Sequence, residues 1–202
     1  MADNQIISLI RKHAHPLTGT KNDYSPLLDE IGDASLVLLG EATHGTSEFY
    51  AIRAEITKEL ITKKGFQTIG IEADWPDAYQ VHRYIQGQKT AETSMQALDG
   101  FKRFPQWMWR NTQMVDLVSW LYHYNEKLSP EKKVGFYGLD LYSLYASIDE
   151  VLQYLNKTNP SMAERARKRY DCFKQYRHNA QIYGYATTLI LAHHAKKKSL
   201  NN

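Results

Sequence analysis

The sequence predicts a three-layer α/β fold in which a mostly parallel sheet is flanked by helices. Three short runs, at residues 36–39, 68–71 and 134–137, are apolar rather than alternating. Such runs are typical of strands that are buried on both faces of a sheet. Between and around them the hydrophobic period changes to that of a helix. The resulting β-α-β order fits a right-handed parallel crossover.

The helices are predicted from apolar residues that recur at every third or fourth position. The clearest one covers residues 47–64, where an apolar stripe runs to two lysines and then to Gly65, a favourable C-terminal stop. Pro76 occupies a favourable first-turn position in the next helix. The predicted helices cover residues 4–13, 47–64, 76–85, 91–101, 107–127, 147–155 and 161 to about 185.

The connection between the second and third predicted strands is long and contains, beyond the helix at 76–85, two more of these helices, at 91–101 and 107–127. We therefore expect a helical excursion that covers the site. After Asp140 the chain is predicted to be helical, with no further strand for these helices to pack on. Three strands make a thin sheet, so the fold is predicted to be incomplete in this chain.

Composition and length indicate one folded domain. The 202 residues are 43% hydrophobic and 23% charged, close to globular averages, which excludes a disordered or fibrous chain. No apolar run approaches the ~20 residues of a membrane span and no signal peptide opens the chain, so we expect a cytoplasmic protein without a membrane partner. Cys172 is the only cysteine, which excludes an intrachain disulfide and a thiolate zinc site.

The net charge of +3 is unevenly distributed, with basic clusters at residues 165–169 and 196–198. These clusters are typical of a solvated helix face and a tail, because a nucleic-acid interface usually interleaves basic and aromatic residues along one surface. No nucleic-acid partner is expected. The sequence leaves the oligomeric state open.

Carboxylates follow all three predicted strands. In open parallel sheets, ligands bind outside the carboxyl ends of the strands, so these residues are expected at one rim. The first strand is followed by Glu41 and His44, and a carboxylate beside a histidine favours water activation. The alternative is that Glu41 caps the turn and His44 is an ordinary loop residue.

Arg53 lies near the centre of the apolar stripe of helix 47–64, where a cation needs a partner. Helical side chains lean toward the N-terminus, so Arg53 is expected to reach back to the rim that carries Glu41, His44 and Glu72. This contact is read either as part of a catalytic centre or as a structural salt bridge.

A metal-dependent alternative uses Glu41, His44, Glu72 and Asp74 as ligands of a divalent ion. No second histidine stands at ligand spacing, so no metal is predicted. No cofactor is predicted either, because the sequence contains neither a dinucleotide-binding nor a Walker motif, and no serine-hydrolase elbow.

The excursion contains Trp107 and Trp109, which are predicted to lie on nearly opposite sides of a helix, so that one of them faces a cleft or a partner. Residues of the rim and the excursion are candidates for contact with a substrate. These candidate substrate-binding residues are Thr43, Asp74, Trp75, Trp109, Arg110 and Asp140.

Three motifs in this order, at residues 39–49 with Arg53, at 70–74 and at 104–111, closely resemble the erythromycin esterase family. The resemblance runs from about residue 6 to about residue 185. It implies an α/β hydrolase that opens macrolide lactone rings without a metal, in a family that also includes relatives labelled for succinoglycan biosynthesis. The implied substrate is a small-molecule ester or a macrolide-like lactone.

The resemblance also implies roles for individual residues. His44 matches the general base that takes a proton from the attacking water. Glu41 and Glu72 match carboxylates that orient the histidine or the water, and Arg53 matches a cation that steadies the developing oxyanion.

Family members are longer than this chain, and residues 189–202 do not resemble the family's continuation. Residues 1–188 are therefore predicted to be the N-terminal part of an erythromycin-esterase-like domain, and residues 189–202 a non-matching basic tail. Two alternatives to a metal-independent esterase remain open. One is an inactive or incomplete relative that acts at most as a binding module, and the other is the metal-dependent hydrolase.

Overall fold

Helices dominate the computed structural model, which describes residues 2–20, 22–103, 105–140 and 143–174. The fold is mixed α/β with a small parallel sheet, as the sequence predicts. Single 3₁₀ turns lie at Gln106–Met108 and Pro130–Lys132. The helices are α1 (Ala2–His13), α2 (Ser25–Ile31), α3 (Ser47–Lys64), α4 (Trp75–Ile85), α5 (Ser94–Ala97), α6 (Thr112–Asn125), α7 (Leu144–Thr158) and α8 (Pro160–Lys174), and the strands are β1 (Thr68–Asp74) and β2 (Gly135–Asp140).

The chain forms two compact units. The first contains the described residues up to Gly70 together with Tyr79–Tyr137, and the second contains Ile71–Ala78 together with the described residues from Gly138 onward. Within the described residues, no helix is both long and apolar enough to cross a bilayer.

Helix α3 has the bounds that the sequence predicts. It ends at Lys64 because Gly65 adopts a left-handed conformation, with φ of 75°, and donates its N–H to the carbonyl of Leu60. Glycine is favoured at this position because it has no Cβ to oppose a positive φ. Helices α1, α4 and α7 also overlap their predicted ranges, and α2 was not predicted.

The predicted helix 107–127 is wrong in its first turn. The side chain of Asn111 accepts a hydrogen bond from the N–H of Met114 at 2.9 Å, and the helix begins at Thr112. Asparagine is a strongly preferred N-cap residue, so the helix begins after Asn111 even though the apolar pattern starts earlier in the sequence. The predicted helix 91–101 is also too long. Only α5 forms there, and it begins after Thr93, whose side chain makes a capping box with Gln96.

Two of the three predicted strands are confirmed, as β1 and β2. They run parallel, and the N–H of Gly135 donates to the carbonyl of Gln67 at 2.8 Å. The sequence predicts that both faces of these strands are buried, and this is wrong for β1. Along β1, exposed residues alternate with buried or half-buried ones, so only one face of the strand is covered.

The first predicted strand, at residues 36–39, is wrong within the described part of the chain. This segment is extended but pairs with no described strand, and the sheet contains only β1 and β2 there. Leu36 and Leu38 remain 73% and 84% exposed. An apolar run favours a strand only when another strand edge is present to pair with it, and that edge is not visible in the local sequence.

Residues 175–202 lie outside the described residues. They include the predicted extension of the last helix to residue 185 and the predicted basic tail at 189–202. The start of that helix is observed as α8.

The core of the first unit lies between α4, α6 and the start of β2. Its largest side chains are fully buried and aliphatic or aromatic, so the hydrophobic effect favours this packing. They are Val81, Ile85, Leu98, Val118, Leu121, Val134 and Phe136.

Asn125 is a fully buried polar residue in this core. Its amide donates to the carbonyls of Ile85 at 3.1 Å and Val134 at 2.9 Å, and its oxygen accepts from the N–H of Val134 at 2.8 Å. One side chain thus joins the ends of α4 and α6 to the start of β2. The sequence analysis did not identify Asn125, because a polar residue at the end of a helix usually faces solvent.

His82 covers the outer edge of β2. Successive N–H groups of a strand point to opposite sides, and that of Gly135 points toward β1, where it donates to Gln67. The N–H of Phe136 therefore points away from β1, and it donates to Nδ1 of His82 at 3.3 Å. The His82 ring also lies near the rings of Tyr79 and Tyr137, at centroid distances of 5.7 and 5.0 Å. Burial lowers the pKa of His82, because it disfavours the charged ring.

In the second unit, the backbones at the carboxyl ends of β1 and β2 approach closely. A Cβ on Gly138 would lie 2.5 Å from the carbonyl oxygens of Ala73 and Asp74. Oδ1 of Asp74 accepts from the N–H of Ser143 at 2.7 Å, which ties the chain after β2 to the end of β1.

We predict that Asn125→Ala lowers the free energy of unfolding by about 3 kcal/mol, because buried backbone groups lose their partners and each such loss is worth about 1–3 kcal/mol. Urea denaturation at neutral pH measures this. The isosteric Asn125→Asp variant places a carboxylate against two carbonyls, so its stability should recover only at acid pH, where the carboxyl is protonated. A change below about 0.5 kcal/mol in the alanine variant contradicts this role.

We predict a pH dependence of stability that comes from His82. The pKa of His82 is lowered below its ordinary value of 6.5, so the unfolded chain binds the proton more tightly. The contribution is complete above pH 6.5 and is lost as the pH falls below it toward the folded pKa. His82→Asn keeps an acceptor for Phe136 but does not titrate, so its unfolding free energy should fall less between pH 7 and pH 5. Parallel curves for the two proteins would contradict the prediction.

Candidate active site

The loop that precedes α3 carries Glu41 and His44 in the first unit. Oγ1 of Thr43 accepts a hydrogen bond from the N–H of Gly45 at 3.2 Å, which is the bonding of a serine/threonine turn. This turn brings the His44 ring back toward Glu41. Nδ1 of His44 and Oε1 of Glu41 are 2.5 Å apart.

Arg53 balances the other oxygen of the same carboxylate. Its Nη2 lies 2.8 Å from Oε2 of Glu41, and the side chains of Glu41 and Arg53 are 9% and 22% exposed. Oε2 is buried, and Arg53 contacts it as an ion pair rather than through a well-aligned hydrogen bond. The expected reach of Arg53 from the second turn of α3 back to the loop is therefore observed.

Tyr50 completes this cluster, and the sequence analysis did not identify it. Its ring lies one helical turn before Arg53, with the guanidinium carbon 4.8 Å from the ring centroid. Tyr50 is only 5% exposed. The signal in the sequence was the i, i+3 spacing of an aromatic residue and an arginine on one helix, which permits a cation–π contact.

These contacts determine how His44 can act. A carboxylate only accepts hydrogen bonds, so in a bond to the Glu41 carboxylate Nδ1 of His44 is the donor. In the tautomer with this Nδ1 proton, Nε2 is unprotonated, and it is the atom that a general base requires. The His44 side chain is 43% exposed, so water has access to the ring.

Four predicted site residues lie in the second unit. Glu72 is exposed in β1, and Asp140 is the last residue of β2. Asp74 makes the hydrogen bond to Ser143 described above, and Trp75, the first residue of α4, is 48% exposed. Their roles in catalysis or substrate binding remain predictions.

Trp109 and Arg110 lie in the first unit, in the turn before α6. The Trp109 ring packs against Phe101 at a centroid distance of 6.2 Å, and Arg110 forms an ion pair with Asp99 at 2.9 Å. The prediction that Trp107 and Trp109 occupy opposite sides of a helix is wrong, because that part of the chain forms only a 3₁₀ turn. Trp107 is nevertheless 48% exposed.

Among the described residues, no three or more histidine, cysteine, aspartate or glutamate side chains are grouped so that they could hold a metal ion.

The model of the erythromycin esterase family matches residues 61–201 of the sequence. This chain belongs to the erythromycin esterase family. The match begins after the loop that carries Glu41 and His44.

Two curated relatives are similar over part of their length. Erythromycin esterase type II of Escherichia coli is 28% identical over 120 residues, which are 59% of this chain and 26% of that protein. The putative hydrolase YbfO of Bacillus subtilis (strain 168) is 25% identical over 162 residues, which are 77% of this chain and 33% of that protein. The chain thus spans about a quarter of the length of the first of these two curated relatives and a third of the length of the second.

Two solved structures share the fold. A succinoglycan biosynthesis protein has a TM-score of 0.67 and 27% identity, and covers 86% of this chain and 43% of its own. A protein of Bacillus cereus has a TM-score of 0.61 and 30% identity, and covers 80% of this chain and 39% of its own. The similarity to a succinoglycan-labelled protein agrees with the range of labels expected among erythromycin esterase relatives.

We predict that Arg53→Met lowers the free energy of unfolding by about 2 kcal/mol, because the buried Glu41 carboxylate loses its positively charged partner. This value lies between those for breaking exposed and fully buried ion pairs. The double variant Arg53→Met with Glu41→Gln should be more stable than Arg53→Met alone, since no unbalanced charge remains. Urea denaturation at pH 7 measures both.

The matched control is Lys168→Met, in the pair of Glu164 and Lys168, whose side chains are 68% and 75% exposed. Its effect should stay within about 0.5 kcal/mol. A double variant no more stable than Arg53→Met would show that charge balance is not the reason for the contact.

Proposed function

We propose that this chain is a hydrolase of the erythromycin esterase type, in which His44 activates a water molecule that attacks the carbonyl carbon of an ester or a macrolide lactone. The observation that supports the proposal is the hydrogen bond between Nδ1 of His44 and the carboxylate of Glu41. Family membership supports a hydrolase in general.

The proposed reaction begins with a proton transfer from water to Nε2 of His44, while the water oxygen forms a bond to the carbonyl carbon. The resulting tetrahedral intermediate carries the negative charge on the former carbonyl oxygen. When the intermediate collapses, the bond to the leaving alkoxide breaks and His44 returns the proton to that oxygen. The products are a carboxylic acid and an alcohol, joined in one chain when the substrate is a lactone.

Glu41 has two roles in this scheme. It holds the ring so that Nε2 is the free nitrogen, and it offsets the positive charge of the imidazolium that forms when His44 takes the proton. Arg53 acts through Glu41, because its observed contact is with that carboxylate, and is therefore a positioning residue. The oxyanion role that the resemblance implies for Arg53 remains a prediction.

Glu72 is proposed as a second carboxylate that orients the water. It belongs to the second compact unit, and this role is supported by the resemblance of residues 70–74 alone. The same holds for Thr43, Asp74, Trp75, Trp109, Arg110 and Asp140 as substrate-binding residues, with a small-molecule ester or macrolide-like lactone as the partner.

A second candidate function is a binding module without turnover. The observation that favours it is length, since the matched region covers only 26% and 33% of the two curated relatives. A site completed by other parts of such a protein would bind a ligand here without hydrolysing it.

We predict that the protein hydrolyses an aryl ester and a macrolide lactone, and that His44→Ala lowers kcat/KM by about 10²–10⁴, the usual contribution of a general base. Glu41→Gln should also lower kcat, because the amide no longer offsets the imidazolium charge. Colorimetric ester hydrolysis and mass spectrometry of the lactone provide the measurements. A chelator should leave the rate unchanged, and loss of activity on chelation would favour the metal-dependent alternative.

The chain contains a matched control for this experiment. His123 forms a similar i, i+3 pair with Glu126 on the surface, with Nδ1 3.1 Å from the carboxylate and both side chains more than half exposed. His123→Ala should leave kcat/KM unchanged. Turnover that survives His44→Ala would remove His44 from the mechanism, and a folded wild-type protein that binds the substrate without turnover would favour the binding module.

A further inference from the structure

The aromatic ring of Tyr50 lies beneath the guanidinium group of Arg53. The guanidinium carbon is 4.8 Å from the centroid of the ring, over its face. A cation in this position is attracted by the negative potential of the ring, and the attraction is larger where water is excluded. Tyr50 is 5% exposed and the Arg53 side chain 22%, so little water reaches the contact.

Tyr50 is held more firmly than the arginine that it contacts. It shares the buried face of α3 with Ala54 and Ile61, and close packing leaves a buried ring few alternative positions. Arg53 has a long side chain with many rotamers, which it must give up to stay in one place. The ring therefore restricts the arginine, rather than the arginine the ring.

The ion pair of Arg53 and Glu41 does not orient its own partners. Nη2 of Arg53 lies 2.8 Å from Oε2 of Glu41, but without the alignment of a good hydrogen bond. The last torsion of a glutamate side chain has a broad preference, so the carboxylate does not orient itself either. The Tyr50 ring supplies an orientation, because it contacts the guanidinium from its face.

The orientation of this carboxylate determines the bond to His44. The two carboxylate oxygens of Glu41 lie in one rigid plane, so holding Oε2 beside Arg53 limits where Oε1 can lie. In the observed arrangement Oε1 is 2.5 Å from Nδ1 of His44. A displaced arginine would release the plane, and the bond to His44 would lose its fixed geometry.

We propose that Tyr50 is a positioning residue of this site, whose ring holds Arg53 where it binds Oε2 of Glu41. The effect passes through Glu41 to His44, and all four residues belong to the first compact unit. The consequence for turnover rests on the function proposed above, in which Tyr50 contacts none of the reacting atoms. The consequence for the His44 ring does not rest on it.

Nuclear magnetic resonance of the imidazole nitrogens tests the proposal without a substrate. In the wild-type protein, the neutral His44 ring should carry its proton mainly on Nδ1, where the Glu41 carboxylate accepts it. Tyr50→Phe keeps the aromatic face and should preserve this predominance. Tyr50→Leu removes the face, so the Nδ1 tautomer should lose its predominance and the tautomer protonated on Nε2 should become well populated.

Leucine at position 50 also changes the packing of α3, so a second replacement separates the two effects. Trifluorophenylalanine at this position keeps the shape of the ring but weakens its negative face. It should shift the His44 tautomer in the same direction as Tyr50→Leu, with an unchanged circular dichroism spectrum. The matched control is Trp120→Leu, which removes the ring 5.9 Å from another cation of α3, Lys58, and should leave His44 unaltered.

The Arg53→Met background shows whether the effect passes through the arginine. Combined with Arg53→Met, Tyr50→Leu should alter the His44 tautomer no further. A further shift in this background would overturn the proposal. So would a wild-type tautomer in both the leucine and the trifluorophenylalanine proteins, or a Tyr50→Phe protein that shifts as much as Tyr50→Leu.

Kinetics provide a separate readout of the same role. In an active enzyme, Tyr50→Leu should lower kcat by about 10–10²-fold, the scale of a small misplacement of a catalytic group, and leave KM nearly unchanged. An unchanged kcat would contradict the role of Tyr50 in turnover. A folded wild-type protein without turnover would instead contradict the proposed hydrolysis, while the His44 tautomers would still decide whether Tyr50 positions the cluster.

Discussion

The buried carboxylate of Glu41 is the constraint on which the candidate active site depends. A charge with so little exposure is stable only when opposite charge or hydrogen-bond donors surround it, and here Arg53 and His44 supply them. The turn at Thr43 and the start of α3 at Ser47 bring these partners together. The same contacts favour the His44 tautomer that carries its proton on Nδ1. Structural stability and the chemistry proposed for the site therefore depend on one ion cluster.

A related constraint, that buried backbone groups must find partners, shapes the rest of the first unit. Asn125 supplies partners at the start of β2, and His82 supplies one at its outer edge, so side chains take the place of strands that the sheet lacks. On the other side of β1, an open cleft lies between residues 68–70 and residues 37–40.

Local patterns predicted the elements whose boundaries are local. Helix α3 followed from its apolar period and from Gly65, and Arg53 was placed near Glu41 by helical phase alone. The start of α6 was missed, because the capping bond of Asn111 outweighs an apolar pattern that continues on both sides of it. Family membership agrees with the resemblance seen in the motifs, and the match at residues 61–201 extends it through most of the chain.

By itself, the sequence determined the α/β class, the order of β1 and β2, and the types of residue that a water-activating site needs. The tertiary structure decided which apolar run becomes a strand, since pairing depends on an edge that lies far away in the chain. It also decided which polar residues are buried. Asn125 carries no local mark of burial, and its partners Ile85 and Val134 become its neighbours only when α4, α6 and the start of β2 have packed. Residues 36–39 have the composition of a strand but lack the partner, because hydrogen bonding in sheets is between segments and never within one.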